Sequence, residues 1–288
     1  MKIEDIKNIS VIGSGTMGRG IAISSASAGY KTVLYDISDV IISKSKLLIS
    51  KELARSVEKK KMTEEKSNDI INNITFTSEF DVMKNSDFVI EAALEDMSLK
   101  KEIFTRLNDI CSEDAIFSTN TSSLSITTIS TIVKKNPGRV VGMHFFNPAN
   151  IMKLVEVVKG DFTSDETLSV TIELSKKFAK VPVEAKDTPA FIVNRIARPF
   201  YGEGLKILSE GSSDVETIDK VMKSCGGFAM GPFELMDLIG IDVNFSVTKS
   251  VYEAFFNDPK YRPNFIQKKM VDANLLGRKT KKGFYNYD

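Results

Sequence analysis

Cysteine is scarce in this sequence, and long apolar runs are absent. Only Cys111 and Cys225 occur among the 288 residues, and they do not form a CxxC pair. Neither a disulfide framework nor a zinc site is therefore indicated, so we expect no metal and a reducing compartment, the cytoplasm. No apolar run approaches the roughly 20 residues that a membrane-spanning helix needs.

An excess of charge of either sign is also lacking. The 39 basic and 38 acidic residues leave a formal net charge of +1. This balance gives no reason to expect a nucleic acid or a membrane surface as a partner. The first residues carry no apolar signal-peptide core and no Arg-rich transit segment, so we expect them to lead directly into a strand.

The composition that remains is that of an ordinary globular protein. Hydrophobic residues make up 42% of the chain and charged residues 27%, and both values are typical. Because a single core stops growing near about 250–300 residues, we expect two domains. The pattern changes at Thr188 and Pro189, which predicts a first domain over residues 1–187 and a second over residues 188–288.

The first domain has strand patterns that alternate with helical ones. Residues 9–35 have the pattern of strand, glycine turn, helix and strand, a βαβ unit that implies a parallel sheet. A Lys-rich helical hairpin is predicted at about residues 39–74. Further strands are predicted at residues 88–93, 115–119, 140–144, 152–158 and 181–184. The alternation predicts a doubly wound α/β domain with a mostly parallel sheet.

The second domain is predicted to be smaller and all helical. Apolar residues recur at helical spacing over residues 191–210, 214–224, 232–256 and 264–273. No strand-like alternation interrupts these segments, so a helical domain follows the α/β domain in the predicted architecture.

A GxGxxG motif follows the first predicted strand and opens the first predicted helix. Its glycines are Gly13, Gly15 and Gly18, and Thr16 and Met17 lie between the last two. Gly13 permits a tight turn, Gly15 lets the backbone approach a pyrophosphate, and Gly18 lets the helix pack on the strand. The context predicts a dinucleotide site.

Asp36 completes this pattern at the end of the second predicted strand, 23 residues after Gly13. Its carboxylate can accept hydrogen bonds from the adenosine ribose and would repel a 2′-phosphate, which predicts NAD rather than NADP. The alternative is a structural turn with a surface aspartate. The complete spacing disfavours it.

His144 is the only histidine in the chain. It ends an apolar, strand-like run and precedes a turn-forming stretch. Because ligands gather at the carboxyl ends of strands in open α/β sheets, a catalytic side chain is expected there. A lone histidine is as often a satisfied buried residue, so its position alone leaves both interpretations open.

Glu156 lies 12 residues further on, inside the apolar run of residues 154–158. A charge in such a run needs a partner or a function. A carboxylate that reaches His144 from an adjacent strand would fix the imidazole tautomer and raise its basicity. An exposed position on an edge strand is the alternative, and the sequence does not decide between the two.

Polar residues also follow another predicted strand end and begin the second domain. The cluster Asn120, Thr121, Ser122 and Ser123 follows the strand at residues 115–119. Ser122 or Ser123 is a candidate site residue or only a helix N-cap. Asn194 lies at the start of the second domain's first helix and either meets a substrate or bonds its own backbone.

Taken in order, these motifs resemble the 3-hydroxyacyl-CoA dehydrogenase family, most closely its short bacterial 3-hydroxybutyryl-CoA members. The matching stretches span nearly the whole chain, at residues 13–20, 91–95, 118–124, 142–148, 152–156, 191–195, 230–242 and 283–285. The resemblance implies a Rossmann domain that binds NAD, a helical domain that carries a homodimer contact, and an acyl-CoA thioester as substrate. The implied reaction interconverts (3S)-3-hydroxyacyl-CoA and 3-oxoacyl-CoA.

The resemblance also implies a role for each matching residue. His144 is the general base and Glu156 its orienting partner, while Ser122 and Asn194 hydrogen-bond the reacting oxygen or the thioester carbonyl. The other implied roles are contact with the cofactor, for Asp36, Glu95, Lys100, Asn147 and Lys279, and contact with the CoA phosphates, for Lys59. Lys59 belongs to a lysine run on a predicted helix, and such a run is also typical of a solvated face.

A few residues depart from the family's usual pattern. Ala190 replaces a usual Gly, Asn150 a usual Pro, and Gly202 and Gly204 a usual Asn and Ala. The Ala-to-Gly change is predicted to weaken its helix by roughly 1 kcal/mol. No proposed catalytic group is lost, so we expect these departures to affect acyl-chain preference rather than the reaction.

Two other functions fit the same sequence pattern. A free hydroxy-acid dehydrogenase of the L-gulonate type would keep His144, Glu156 and Asn194 but would make no CoA contacts, since a fold does not fix a substrate. A catalytically inactive binding protein on this fold would not need the intact polar set. An assay of NADH oxidation with a thioester and with the free acid distinguishes these two functions from that of an acyl-CoA dehydrogenase.

Overall fold

The computed structural model describes all residues, Met1–Asp288. The chain forms two compact units, Met1–Thr188 and Pro189–Asp288. None of its helices has both the length and the apolar character that crossing a membrane requires.

An eight-stranded sheet forms the centre of the first unit. The strand order is β3-β2-β1-β4-β5-β6-β7-β8, and every neighbouring pair is parallel except β6 with β7. The predicted doubly wound α/β class is confirmed. The strands are β1 (Asn8–Ile12), β2 (Lys31–Tyr35), β3 (Ile74–Thr77), β4 (Phe88–Glu91), β5 (Ile116–Thr119), β6 (Val140–Phe145), β7 (Leu154–Lys159) and β8 (Val181–Lys186).

Six helices accompany the sheet in the first unit. Five of them begin at a Ser, Thr or Asp whose side chain accepts a hydrogen bond from a backbone N–H of the first turn. These caps satisfy donors that have no partner within the helix. The helices are α1 (Thr16–Ser27), α2 (Asp39–Glu58), α3 (Glu64–Asn72), α4 (Met97–Ile110), α5 (Ile126–Ser130) and α6 (Asp165–Lys177).

The second unit is helical, and two buried aspartates organise it. Asp219 accepts hydrogen bonds from the backbone N–H groups of Phe233 and Glu234. Asp237 accepts them from Phe284 and Tyr285 and so holds the end of the chain. The helices are α7 (Val193–Ser209), α8 (Val215–Ser224), α9 (Pro232–Ile239), α10 (Ile241–Ala254) and α11 (Phe265–Asp272).

The structure differs from the sequence prediction at two elements. The predicted hairpin at residues 39–74 forms α2 and α3, but its last residue already belongs to β3, which pairs with β2. The helix predicted over residues 232–256 is two helices. Gly240 separates them because its φ of +101° lies outside the right-handed helical region.

Candidate active site

The glycine loop between β1 and α1 leaves room for a phosphate group. Gly13 has a φ of +96°, and a Cβ there would lie 2.6 Å from the carbonyl oxygen of Ala92. A Cβ on Gly18 would lie 1.7 Å from the carbonyl oxygen of Gly13, whereas a Cβ on Gly15 would meet no atom within 4 Å. Gly15 is the N-cap of α1 and has no side chain to cap it. The first-turn N–H groups are therefore available to an anion.

Asp36 lies directly beside this loop. Its Oδ2 accepts hydrogen bonds from the backbone N–H of Ser14 at 2.7 Å and from Ser14 Oγ at 2.8 Å. The backbone N–H of Ile37 donates to Oδ1 at 2.8 Å. The glycine cradle and a carboxylate fixed at the end of β2 together fit a dinucleotide with an unphosphorylated ribose.

His144 and Glu156 face each other across the antiparallel pair of β6 and β7. His144 Nδ1 lies 2.7 Å from Glu156 Oε2, and the two residues are only 6% and 1% exposed. Because β7 lies between β6 and β8, the alternative of an exposed edge position for Glu156 is wrong. The carboxylate favours the tautomer with a proton on Nδ1, which makes Nε2 the proton-accepting nitrogen.

Asn120 ties the loop after β5 to the end of β6. Its Oδ1 accepts a hydrogen bond from the backbone N–H of Phe145 at 2.8 Å. Since β5 and β6 are parallel neighbours, their carboxyl ends lie at the same edge of the sheet. The loop that carries Ser122 and the strand end that carries His144 are thereby held at one edge.

Glu95 organises the Ser122 loop. It accepts hydrogen bonds from Thr121 Oγ1 at 2.6 Å, from the Ser122 N–H at 2.8 Å and from Ser123 Oγ at 3.0 Å, while Ser122 Oγ lies 3.3 Å away. Burial acts to raise the pKa of Glu95, but Lys100 and these hydrogen bonds lower it below the ordinary value. Glu95 is therefore ionised at neutral pH.

The helix N-cap that the sequence leaves open for Ser122 or Ser123 belongs to a later residue. Ser125 caps α5, and its side chain accepts a hydrogen bond from the backbone N–H of Thr128. Both Ser122 and Ser123 are half-exposed and bond to Glu95 instead.

Lys100 is held in a buried network that the sequence analysis did not identify. It is 1% exposed, and its Nζ lies 2.8 and 2.7 Å from the two carboxylate oxygens of Glu91. The same nitrogen lies 3.5 Å from Glu95 Oε2, and Thr119 Oγ1 donates to Glu91 at 2.6 Å. The sequence does contain a signal for this network, because Glu91 is an acidic residue in an apolar run, as Glu156 is.

The other predicted site residues lie in separate places. Thr16 and Met17 form the start of α1, Lys59 is exposed just after α2, and Asn147 is exposed just after β6. Two belong to the second unit: Asn194 lies in the first turn of α7, and Lys279 donates to Asp242 Oδ2 at 2.6 Å.

Two of the departures from the family pattern have a definite local structure. Ala190 is buried and has a φ of +67°, in the left-handed region that favours glycine. Asn150 donates from Nδ2 to Glu52 Oε1 at 2.6 Å, a contact that a proline could not make.

Known proteins match the chain along almost its whole length. Residues 8–188 match the family described as "3-hydroxyacyl-CoA dehydrogenase, NAD binding domain", and residues 191–287 match "3-hydroxyacyl-CoA dehydrogenase, C-terminal domain". The chain is 44% identical over 280 residues to the 3-hydroxybutyryl-CoA dehydrogenase of Clostridioides difficile, covering 97% of this chain and 99% of that protein.

Two further relatives differ in name and in length. The 3-hydroxyadipyl-CoA dehydrogenase of Escherichia coli (strain K12) is 42% identical over 283 residues, covering 98% of this chain but 59% of that protein. The crystal structure of the (S)-3-hydroxybutyryl-CoA dehydrogenase from Ralstonia eutropha superposes with a TM-score of 0.93 at 39% identity, covering 99% of this chain and 100% of that one.

Proposed function

Because the chain belongs to the 3-hydroxyacyl-CoA dehydrogenase family, we propose that His144 and Glu156 are the proton-transfer pair of its reaction. The chain is an NAD-dependent dehydrogenase that interconverts a 3-hydroxyacyl-CoA and a 3-oxoacyl-CoA. We assign it a short acyl chain, with 3-hydroxybutyryl-CoA as the reference substrate. The observation that carries the proposal is the buried 2.7 Å contact between His144 Nδ1 and Glu156 Oε2.

In the oxidative direction, His144 takes the proton of the 3-hydroxyl group at Nε2. Glu156 stabilises the resulting imidazolium, as a carboxylate does when it orients a histidine that acts as a general base. The Ser122 hydroxyl, which lies 3.3 Å from Glu95 Oε1 in the structure, turns to donate its hydrogen bond to the oxygen that becomes the ketone, and Asn194 positions the acyl group. Bound NAD supplies the acceptor for the hydride that leaves C3.

The glycine loop and Asp36 hold the dinucleotide in this proposal. Gly15 and the first turn of α1 receive the pyrophosphate, and Asp36 receives the ribose hydroxyls. Glu95 accepts hydrogen bonds from Ser122, and Lys100 lies 3.5 Å from Glu95 Oε2, so the two residues would keep the Ser122 loop in place beside the cofactor. The remaining proposed contacts are Thr16, Met17, Asn147 and Lys279 with the cofactor and Lys59 with the CoA phosphates.

The test is a direct assay of the purified protein. Acetoacetyl-CoA and NADH are mixed with it, and loss of absorbance at the nicotinamide band is followed, with free acetoacetate and NADPH as parallel controls. Rapid loss with the thioester and NADH alone is the expected result. Activity on free acetoacetate would show that the protein acts on a free hydroxy acid. No activity with any combination of substrate and cofactor would contradict the proposal.

We further propose a homodimer in the cytoplasm. Large apolar side chains lie exposed on the second unit, six on its helices and one in the loop between α8 and α9, and they support a partner surface there. Light scattering coupled to size exclusion should give twice the 32.0 kDa of one chain, and a monomer would contradict the proposal. The exposed side chains are Ile196, Val221, Phe228, Leu238, Ile239, Val243 and Phe265.

A further inference from the structure

Lys180 is a buried lysine whose hydrogen bonds go to neutral carbonyl groups. It lies between α6 and β8 and is 8% exposed. Its Nζ donates to the carbonyl oxygen of Ala149 at 2.5 Å and to that of Met152 at 2.9 Å. Burial lowers the pKa of Lys180 below the ordinary lysine value. Because a buried ammonium group is costly unless an acid pairs with it, packing alone does not account for a lysine at this position.

The lysine lies at the same edge of the sheet as His144. β6 ends at this edge, and both the antiparallel β7 and its parallel neighbour β8 begin there. The backbone N–H of Val181 donates to the carbonyl oxygen of Lys153 at 2.7 Å, so the segments that precede the two strands are adjacent. The carbonyl groups that Lys180 binds belong to the β6–β7 loop, residues 146–153.

The β6–β7 loop packs closely on the helix that begins at the glycine cradle. Ala149 is 1% exposed, although most of the loop is exposed. A Cβ on Gly20, in α1, would lie 3.0 Å from Ala149 Cβ and 3.2 Å from the Ala149 nitrogen. Gly20 is about one turn beyond Thr16, the first residue of α1. A displacement of the loop therefore changes the surroundings of the proposed cofactor helix.

The same loop carries a proposed cofactor residue and borders the proposed base. Asn147 is exposed on it, and the ring of Phe146 lies 4.6 Å from that of His144 between centroids. Exposed loops of this kind are normally mobile. Lys180 bridges two carbonyl groups that are three residues apart in the loop, and so it fixes the path of the backbone between them.

We propose that Lys180 is a positioning residue for NAD(H): by bridging the carbonyl groups of Ala149 and Met152, it holds the β6–β7 loop in the conformation that binds the cofactor. The inference rests on the proposed function, in which Asn147 contacts the cofactor. Lys180 itself touches neither the cofactor nor the reacting atoms. Without it the two carbonyl groups turn to water, and cofactor binding must order the loop again. The loss therefore falls on the affinity for NADH rather than on proton transfer.

The experiment separates binding from turnover. Lys180→Met keeps the length of the side chain and removes its donors. The Kd for NADH is measured by fluorescence titration, and KM for NADH and kcat are measured with acetoacetyl-CoA. Both Kd and KM are expected to rise about tenfold, the effect of losing hydrogen bonds from a charged donor. The value of kcat at saturating NADH should stay within about threefold, because the strand pairing of His144 with Glu156 is kept.

Arg139→Met is the matched control. Arg139 is also a buried cation, 2% exposed, and its Nη1 donates to the carbonyl oxygens of Ser112 and Ala115. It lies directly before β6, whereas His144 lies near the other end of that strand. Both substitutions should lower Tm, but only Lys180→Met should weaken NADH binding. An equal loss of NADH affinity in the control would overturn the inference, since the loss of any buried cation would then have the same effect.

Lys180→Gln keeps the test decisive if Lys180→Met does not fold. It removes the charge, retains an amide donor and should raise the Kd for NADH severalfold. An unchanged Kd in a folded Lys180 variant, or a fall in kcat without a change in KM, would overturn the inference and leave the proposed function intact. Failure of both variants to fold would overturn it in favour of a purely structural role. If the unmodified enzyme does not reduce acetoacetyl-CoA, the proposed function fails instead, and the NADH titrations still decide the role of Lys180.

Discussion

His144 obtains its partner from strand pairing. Glu156 is 12 residues away in sequence, yet the register of β6 and β7 places it directly opposite. Replacing His144 by Gln removes the proposed base but keeps a polar side chain of similar size. We expect kcat to fall about 10²- to 10⁴-fold, while the affinity for NADH, measured by fluorescence titration, changes less than threefold. Turnover near that of the unmodified enzyme would show that His144 is not the base.

Asp36 is the proposed determinant of the choice between the two nicotinamide cofactors. Its carboxylate is fixed against Ser14, so a 2′-phosphate at the ribose would meet a negative charge. Asp36→Ser removes the charge and keeps a hydroxyl, and the ratio of kcat/KM for NADPH to that for NADH should rise at least tenfold. Asp39→Asn, which removes an acid three residues further on, serves as the control. An unchanged ratio would mean that other groups exclude NADPH.

Glu95 should make the free energy of unfolding depend on pH in the acid range. Its folded-state pKa is lowered, so the stability that it contributes is present above the unfolded pKa and is lost as the pH falls through the lower folded value. Its side chain is 35% exposed, so solvent screening limits the contribution to about 1 kcal/mol or less. Urea unfolding should show Glu95→Gln less stable at pH 7, with the difference shrinking below pH 4.5. A difference that stays constant into acid would exclude this role.

The sequence predicts a buried residue best where a charge interrupts an apolar run. Glu156 stood out for this reason, and Glu91 carries the same signal in residues 88–93. Arg198 gave no such signal, because arginine at helical spacing normally marks a solvated surface. Its burial depends on α10, which supplies Asn244 and Thr248. Contacts between distant helices of this kind leave no local pattern.

Helix α7 contains two glycines with different environments. A Cβ on Gly202 would meet no atom within 4 Å, whereas a Cβ on Gly204 would lie 3.0 Å from Pro232 Cγ. Gly202→Ala should therefore stabilise the chain by about 0.5–1 kcal/mol through helix propensity. Gly204→Ala should gain less or destabilise, because Pro232 must shift to make room. Thermal melting of both variants measures the difference, and equal gains would contradict it.

The boundaries of elements were harder to predict than their type. The helical pattern of residues 232–256 is real, but one residue, Gly240 at a φ of +101°, divides it. A glycine in a helical pattern is often tolerated, so the sequence did not show the break. β3 was missed because four residues, Ile74–Thr77, are too few to display an alternation. Only the pairing with β2 makes them a strand.

At the scale of the whole molecule, the two units differ in how well each is stabilised by its own interior. The first has an eight-stranded sheet with a core built from nearly every strand and several helices. The second has 100 residues (189–288) and smaller clusters around Phe233 and Tyr261. Small domains bury a smaller fraction of their surface and are correspondingly marginal, so the units should differ when separated.

A fragment of residues 1–188 is therefore expected to fold alone and to bind NADH. It contains the glycine loop, Asp36, Glu95 and Lys100, and of the predicted cofactor residues it lacks only Lys279. Its NADH dissociation constant, measured by fluorescence titration, should lie within about tenfold of the full chain, the loss of one exposed charge contact. The fragment should show no turnover of acetoacetyl-CoA, because Asn194 is absent. A fragment that is unfolded by circular dichroism would contradict its independent folding, and a folded fragment that does not bind NADH would contradict the assignment of the cofactor site to residues 1–188.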